Sequence, residues 1–136
     1  MKTIVWDRPQ EVGEWVCARI GGRFSPDEAT AIGMEQDGKL VAGVMFDAFK
    51  GNSIQMHVAG EGGHWMTRDY ARACFGYAFN QLKVKKIIGL VEANNAAARR
   101  YDEHLGFVLE HVITDGGKFG DLCIYSMTRD QCKYVR

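Results

Sequence analysis

Residues 53–107 read SIQMHVAGEGGHWMTRDYARACFGYAFNQLKVKKIIGLVEANNAAARRYDEHLGF, and the succession of patterns inside this stretch decides the fold class. Ser53 to Ala59 alternates apolar and polar residues, as a half-buried strand does. Gly60-Glu61-Gly62-Gly63 then interrupts with a flexible loop, and Thr67 with Asp69 supplies a cap and a first-turn acid for a helix. Met66, Tyr70, Ala73 and Tyr77 form one stripe of that helix, and Ala71, Cys74, Phe75, Ala78 and Leu82 a neighbouring one. An arc this wide predicts burial against a sheet. Lys86 to Glu92 (KIIGLVE) is nearly continuous in apolar residues, which suits a central strand. Asn94-Asn95 caps a second helix, with Ala98, Tyr101 and Leu105 on one face and Gly106 as its end.

The flanks fill in around this β-α-β-α unit. Lys2 to Trp6 suits a short strand, and Pro9 suits the first turn of a helix that carries Val12, Trp15, Val16 and Ile20 before Gly21-Gly22 stops it. Ser25-Pro26-Asp27 marks a turn. Ala29 to Gln36 and Leu40 to Phe46 read as strands joined by Asp37-Gly38, a tight hairpin signal. Downstream, Phe107 to Thr114 and Leu122 to Thr128 are strands separated by Asp115-Gly116-Gly117. The order β-α-β-β-β-α-β-α-β-β predicts an α+β domain spanning residues 1–136, with a mixed, mostly antiparallel sheet of about seven strands and three to four helices.

Composition narrows the function. Lys+Arg and Asp+Glu number 17 each, so the formal net charge is zero, which argues against a nucleic-acid binder. The apolar stretch Ile87 to Val91 is far too short to cross a bilayer. No basic start followed by an apolar run opens the chain, and Cys17, Cys74, Cys123 and Cys132 form no C-x-x-C pair, so a cytoplasmic protein with reduced, buried thiols is expected. No Cys/His pair has zinc-ligand spacing, so no metal is expected. A glycine loop and a helix N-terminus directly after a strand is an arrangement that grips phosphate, because free backbone N–H groups point at the anion.

On these residues the chain resembles the GNAT superfamily of acyl-CoA-dependent N-acyltransferases. Asn95, Ala98 three residues later and Gly106-Phe107 eleven and twelve later are similar to the family's N-x-x-A…G-F helix and following strand. Glu61-Gly62-Gly63-His64-Trp65-Met66-Thr67 stands where the family has its Q/R-x-x-G-x-G/A pyrophosphate loop. Glu61, His64 and Met66 depart from that pattern, and Glu61 sets a negative charge beside the expected anion, which Arg68 is placed to offset.

The resemblance implies an N-acetyltransferase that moves an acetyl group from acetyl-CoA, its acyl donor, to a primary amine by direct attack. The fourth and fifth strands would splay and hold the pantetheine in the gap. Expected cofactor contacts are Met56, Val58, Gly62, Gly63, His64, Trp65, Met66, Thr67, Arg68, Asn95, Ala98 and Asp102. His57, on the fourth strand, and Glu92, at the end of the fifth, are the candidate general bases. The family often places a proton-donating Tyr seven residues after the helix Asn. Here that position is Asp102, and a carboxylate ionised at neutral pH is a poor acid, while Tyr101 is expected to pack in the core with Ala98 and Leu105. The alternative is a GNAT-fold protein without catalysis, acting as a CoA-binding or protein-interaction module. The acceptor carries no motif, and a homodimer stays open.

Overall fold

The computed structural model describes residues 1–135. The chain runs β1 (Lys2–Val5), α1 (Pro9–Ile20), β2 (Thr30–Gln36), β3 (Lys39–Asp47), β4 (Ser53–Gly60), α2 (Arg68–Gly76), β5 (Lys86–Glu92), α3 (Ala96–Leu105), β6 (Val108–Ile113) and β7 (Leu122–Thr128). The seven strands form one sheet in the order β1-β2-β3-β4-β5-β7-β6. All neighbours are antiparallel except β4 and β5, which the α2 crossover makes parallel. This is the α+β, mixed and mostly antiparallel architecture that the order of patterns predicts.

Local chemistry sets the turns. Asp37 and Gly38 both adopt positive φ, 53° and 83°, which a two-residue hairpin requires. The Asn95 side chain accepts the Ala98 N–H at 3.1 Å and so caps α3, and Gly106, at φ 113°, ends it.

Several boundaries differ from expectation. The α2 stripe breaks off at Gly76, and one π-helical turn over Tyr77–Gln81 follows, closed by the Leu82 N–H on the Tyr77 carbonyl. Phe107 does not begin β6, because its N–H still bonds the Asp102 carbonyl at the end of α3 while its ring is buried. β1 stops at Val5, leaving Trp6 exposed beyond it.

Helices cover the two faces of the sheet. α1 lies on β2 and β3, where Val12 and Val16 sit over Gly33 and Gly43. A Cβ at those glycines would fall 2.8 and 2.5 Å from the valine methyls, so the close approach of the helix demands glycine there. The alternate residues Ile32, Val44 and Phe46 point to the other face and join Tyr70, Cys74 and Phe75 of α2 and Leu105 of α3 in the larger core. Tyr70 is fully buried, and its hydroxyl donates to the Ile32 carbonyl at 2.6 Å, which ties α2 to the sheet. The four cysteines are buried, and none forms a disulfide among the described residues. Among the described residues no helix is long and apolar enough to cross a membrane.

Candidate active site

β4 and β5 hold together over only three pairs, Ser53↔Lys86, Ile54↔Ile87 and Gln55↔Ile88. Beyond them β4 continues with β3, and β5 with β7, so their facing edges part. Strand edges carry obligatory hydrogen-bonding groups, and parting two of them opens a polar-edged slot between apolar side chains. The slot widens into a cleft of about 580 Å³. Met56, His57 and Val58 line it from β4, Glu92 from β5, and Asn95, Ala98 and Asp102 from α3. Residues predicted from three separate stretches of sequence thus meet in one place, at the carboxyl end of the parallel pair, where ligands bind in open α/β sheets.

His57 does not stand alone. Its Nε2 lies 2.7 Å from Asp47 Oδ1 at the end of β3, and both side chains are partly buried. A carboxylate accepting from Nε2–H leaves Nδ1 as the ring's proton acceptor, the tautomer a general base needs. Sequence reasoning missed Asp47, whose relation to His57 depends on hairpin register rather than on any motif.

Glu92 lies on the cleft wall, but its Oε1 accepts the Lys118 N–H at 2.9 Å, and Gly117 packs so close that a Cβ there would fall 2.5 Å from the same oxygen. Its carboxylate is engaged in holding the β6–β7 loop.

Asp102 departs from the ordinary carboxylate assumed for it. Its carboxyl sits over Gly89, with Oδ2 3.2 Å from where a Cβ would be. Burial, and then the neighbouring Glu103 charge, push its pKa up to about 6.

A second cavity of about 500 Å³ lies beyond the cleft, lined by Gly62, Gly63, His64 and Met66 of the loop and by His104 and Tyr134. Gly60, Trp65 and Tyr101 line both spaces. The Trp65 indole lies against Gly60, where a Cβ would meet it at 2.1 Å, and packs on the Tyr101 ring with centroids 5.6 Å apart. These two rings form the wall between cleft and cavity. Tyr101 packs against the larger core with Ala98, as expected, yet its buried hydroxyl has no hydrogen-bond partner among the described residues.

Of the remaining expected contacts, Thr67 caps α2 through the Tyr70 N–H at 3.1 Å, and Arg68 begins the helix; neither lines the two spaces. The partner of Glu61 is not Arg68 but Arg19 at the end of α1, at 2.8 Å, with its guanidinium stacked on Trp15. Lys2 donates to the His64 carbonyl at 2.7 Å, so β1 also steadies the loop. Among the described residues no group of three or more His, Cys, Asp or Glu is placed to hold a metal ion.

No protein-family model and no curated protein matches the chain. Solved structures do. One, a probable acetyltransferase, superposes with a TM-score of 0.70 over 96% of this chain and 94% of its own, at 17% identity. A dodecameric spermidine N-acetyltransferase from Vibrio cholerae gives 0.73 over 96% and 95%, at 15% identity. The chain has the GNAT acetyltransferase fold. Another structure with this GNAT fold, the Campylobacter jejuni N-acetyltransferase PseH in complex with acetyl coenzyme A, matches with a TM-score of 0.59 over 75% of this chain and 69% of its own, at 16% identity.

Proposed function

We propose that this protein is an N-acetyltransferase that moves the acetyl group of acetyl-CoA to a primary amine by direct attack. The observation that carries the reading is the three-pair contact between β4 and β5, beyond which the strands part around a cleft that would receive a pantetheine arm. Strand N–H groups on the parted edge of β4 would polarise the thioester carbonyl, and the loop ahead of α2 offers backbone N–H groups and a helix N-terminus to the diphosphate. The amine nitrogen bonds to the acyl carbon, the C–S bond breaks, and His57 Nδ1 takes the amine proton while Asp47 holds the ring. A neighbour of this fold is a spermidine acetyltransferase and another was solved with acetyl-CoA, which supports the donor and the amine class.

A second reading, a non-catalytic CoA-binding module, is favoured by the Trp65–Tyr101 wall and the acidic Glu61 in the loop. Both readings expect acetyl-CoA to bind, and saturation at a hundred times its Kd raises stability by about 2.7 kcal/mol. The deciding experiment follows release of CoA thiol with spermidine, lysine and a peptide bearing a free N-terminus. Turnover with any of them supports the enzyme. Binding without turnover across the panel supports the module.

A further inference from the structure

The gap between β4 and β5 has two sides, and they differ in chemistry. On β5, Ile87 and Val91 belong to the larger core, so the pleat turns Ile88, Leu90 and Glu92 to the face that carries α1. His57 opens to that same face, because its strand partner Met45 clusters with Val12 and Val16 of α1. Asp102 stands on the other face, where α3 sets its carboxyl over Gly89. On the α1 face the mouth of the cleft is apolar. Ile20, the last residue of α1, and Leu90 both line the cleft with His57, yet they are 46% and 43% exposed. Ile124 of β7 pairs with Leu90 and extends this surface. Adjoining apolar side chains left in water at a cleft mark a ligand contact, because covering them is favourable. The carboxylates around this mouth each have a partner already. Asp47 is bonded to His57, Glu92 accepts the Lys118 N–H, and Glu61, next to Gly60 of the cleft wall, is paired with Arg19. A second ammonium entering here would leave water without gaining a carboxylate of its own, which is costly.

Resting on the acyl-transfer reading above, we propose that Ile20 and Leu90 are the specificity-determining residues for the acceptor, and that they select an amine carrying an apolar substituent over one carrying a second ammonium. The amine nitrogen then meets His57 Nδ1 while its substituent lies on the two side chains and shields them from water. Spermidine, with its further amino groups, is a poor acceptor for this mouth, although a protein of the same fold is a spermidine N-acetyltransferase. Free alkylamines and peptides that begin with Leu share the required chemistry, an aliphatic group beside the amine.

The test follows release of CoA thiol with two matched pairs of acceptors. Pentylamine and putrescine are chains of equal length that end in a methyl group and in a second ammonium, and two peptides of otherwise identical sequence begin with Leu and with Lys. Expected is a kcat/KM at least about tenfold higher for the apolar member of each pair that is turned over. The faster of pentylamine and the Leu peptide identifies the source as a free amine or a peptide N-terminus. Leu90→Glu, which sets a carboxylate at the mouth, should cut the ratio by about tenfold or more, and the uncharged Leu90→Gln by a smaller factor, with the KM for acetyl-CoA within about threefold of wild type in both. The wild-type ratio decides the matter even where the Glu variant fails to fold. Putrescine or spermidine turned over as fast as pentylamine, or a ratio that Leu90→Glu leaves unchanged, overturns the assignment and leaves acyl transfer standing. Wild-type protein that binds acetyl-CoA yet acetylates no amine overturns the acyl-transfer reading itself.

Discussion

Asp47 and His57 meet at 2.7 Å across the β3–β4 hairpin as diagonal neighbours on one face of the sheet. The register pairs Asp47 with Gln55 and Met45 with His57, so the two interacting side chains are offset by one two-residue step. Diagonal pairs lie within reach of long side chains, and rigid strands hold the imidazole from both sides. The pair orients His57 toward the cleft without any loop that would have to order first.

This arrangement makes the first expected outcome specific. His57→Gln should lower kcat by about a hundredfold or more and abolish the acid limb of the rate profile, because a general base contributes at least that much. Asp47→Asn should lower kcat by a smaller factor and leave the KM for acetyl-CoA unchanged, since it alters only the orientation and tautomer of the ring. Steady-state kinetics from pH 5 to 9 check both.

Asp102 should appear in stability. Its folded-state pKa, about 6, lies above the ordinary aspartate value of 3.8, so the folded protein binds the proton more tightly than the unfolded chain does. The stabilisation is therefore fully present below the unfolded value and is lost as pH rises through about 6. Asp102→Asn, a permanently neutral isostere, should gain about 1–2 kcal/mol over wild type at pH 8, less than the whole shift because water enters the cleft, and nothing at pH 3.5. Urea unfolding of both proteins at the two pH values reads the difference.

Gly60 and Trp65 should be coupled. A Cβ at Gly60 would meet the Trp65 ring at 2.1 Å, so Gly60→Ala must displace the indole. The single variant should be destabilised by about 1–3 kcal/mol and shift the tryptophan emission. Adding Trp65→Ala removes the clash, and the double variant should be more stable than the sum of the single effects predicts. A double-mutant cycle in urea checks it.

The Arg19–Glu61 pair is partly exposed, and its loss should change stability by under about 1 kcal/mol. Its effect belongs instead to the anion site. Arg19→Met should raise the KM for acetyl-CoA about threefold to tenfold by leaving the Glu61 charge unbalanced near the loop. Glu61→Gln in the same background should restore it, and both effects should fade in high salt.

Asn95→Ala removes the α3 cap and should destabilise the protein by about 1 kcal/mol. Any rise in the KM for acetyl-CoA at temperatures where the variant is fully folded measures the cleft-facing role of Asn95 separately.

The parts of this molecule that were legible in the sequence are those whose causes lie within about four residues. Asp37-Gly38 demanded a hairpin, Asn95 and Gly106 bounded α3, and the switch of apolar period around Gly60 gave the crossover that makes β4 and β5 parallel. The N-x-x-A…G-F spacing is longer but was visible too, because it is written along one continuous helix and its exit. Tertiary structure alone decided the chemistry of the cleft. Arg19 reaches Glu61 across 42 residues because α1 lies on β2 and β3, and Asp47 reaches His57 because one hairpin register was chosen over its neighbours. Asp102 looked like any helical surface carboxylate until α3 docked it over Gly89, where dehydration and an adjacent negative charge changed its acidity. Sequence specifies which groups are present and the local geometry of the backbone, but a pKa, an ion pair or a cleft is a property of surroundings, and those exist only once distant segments have packed.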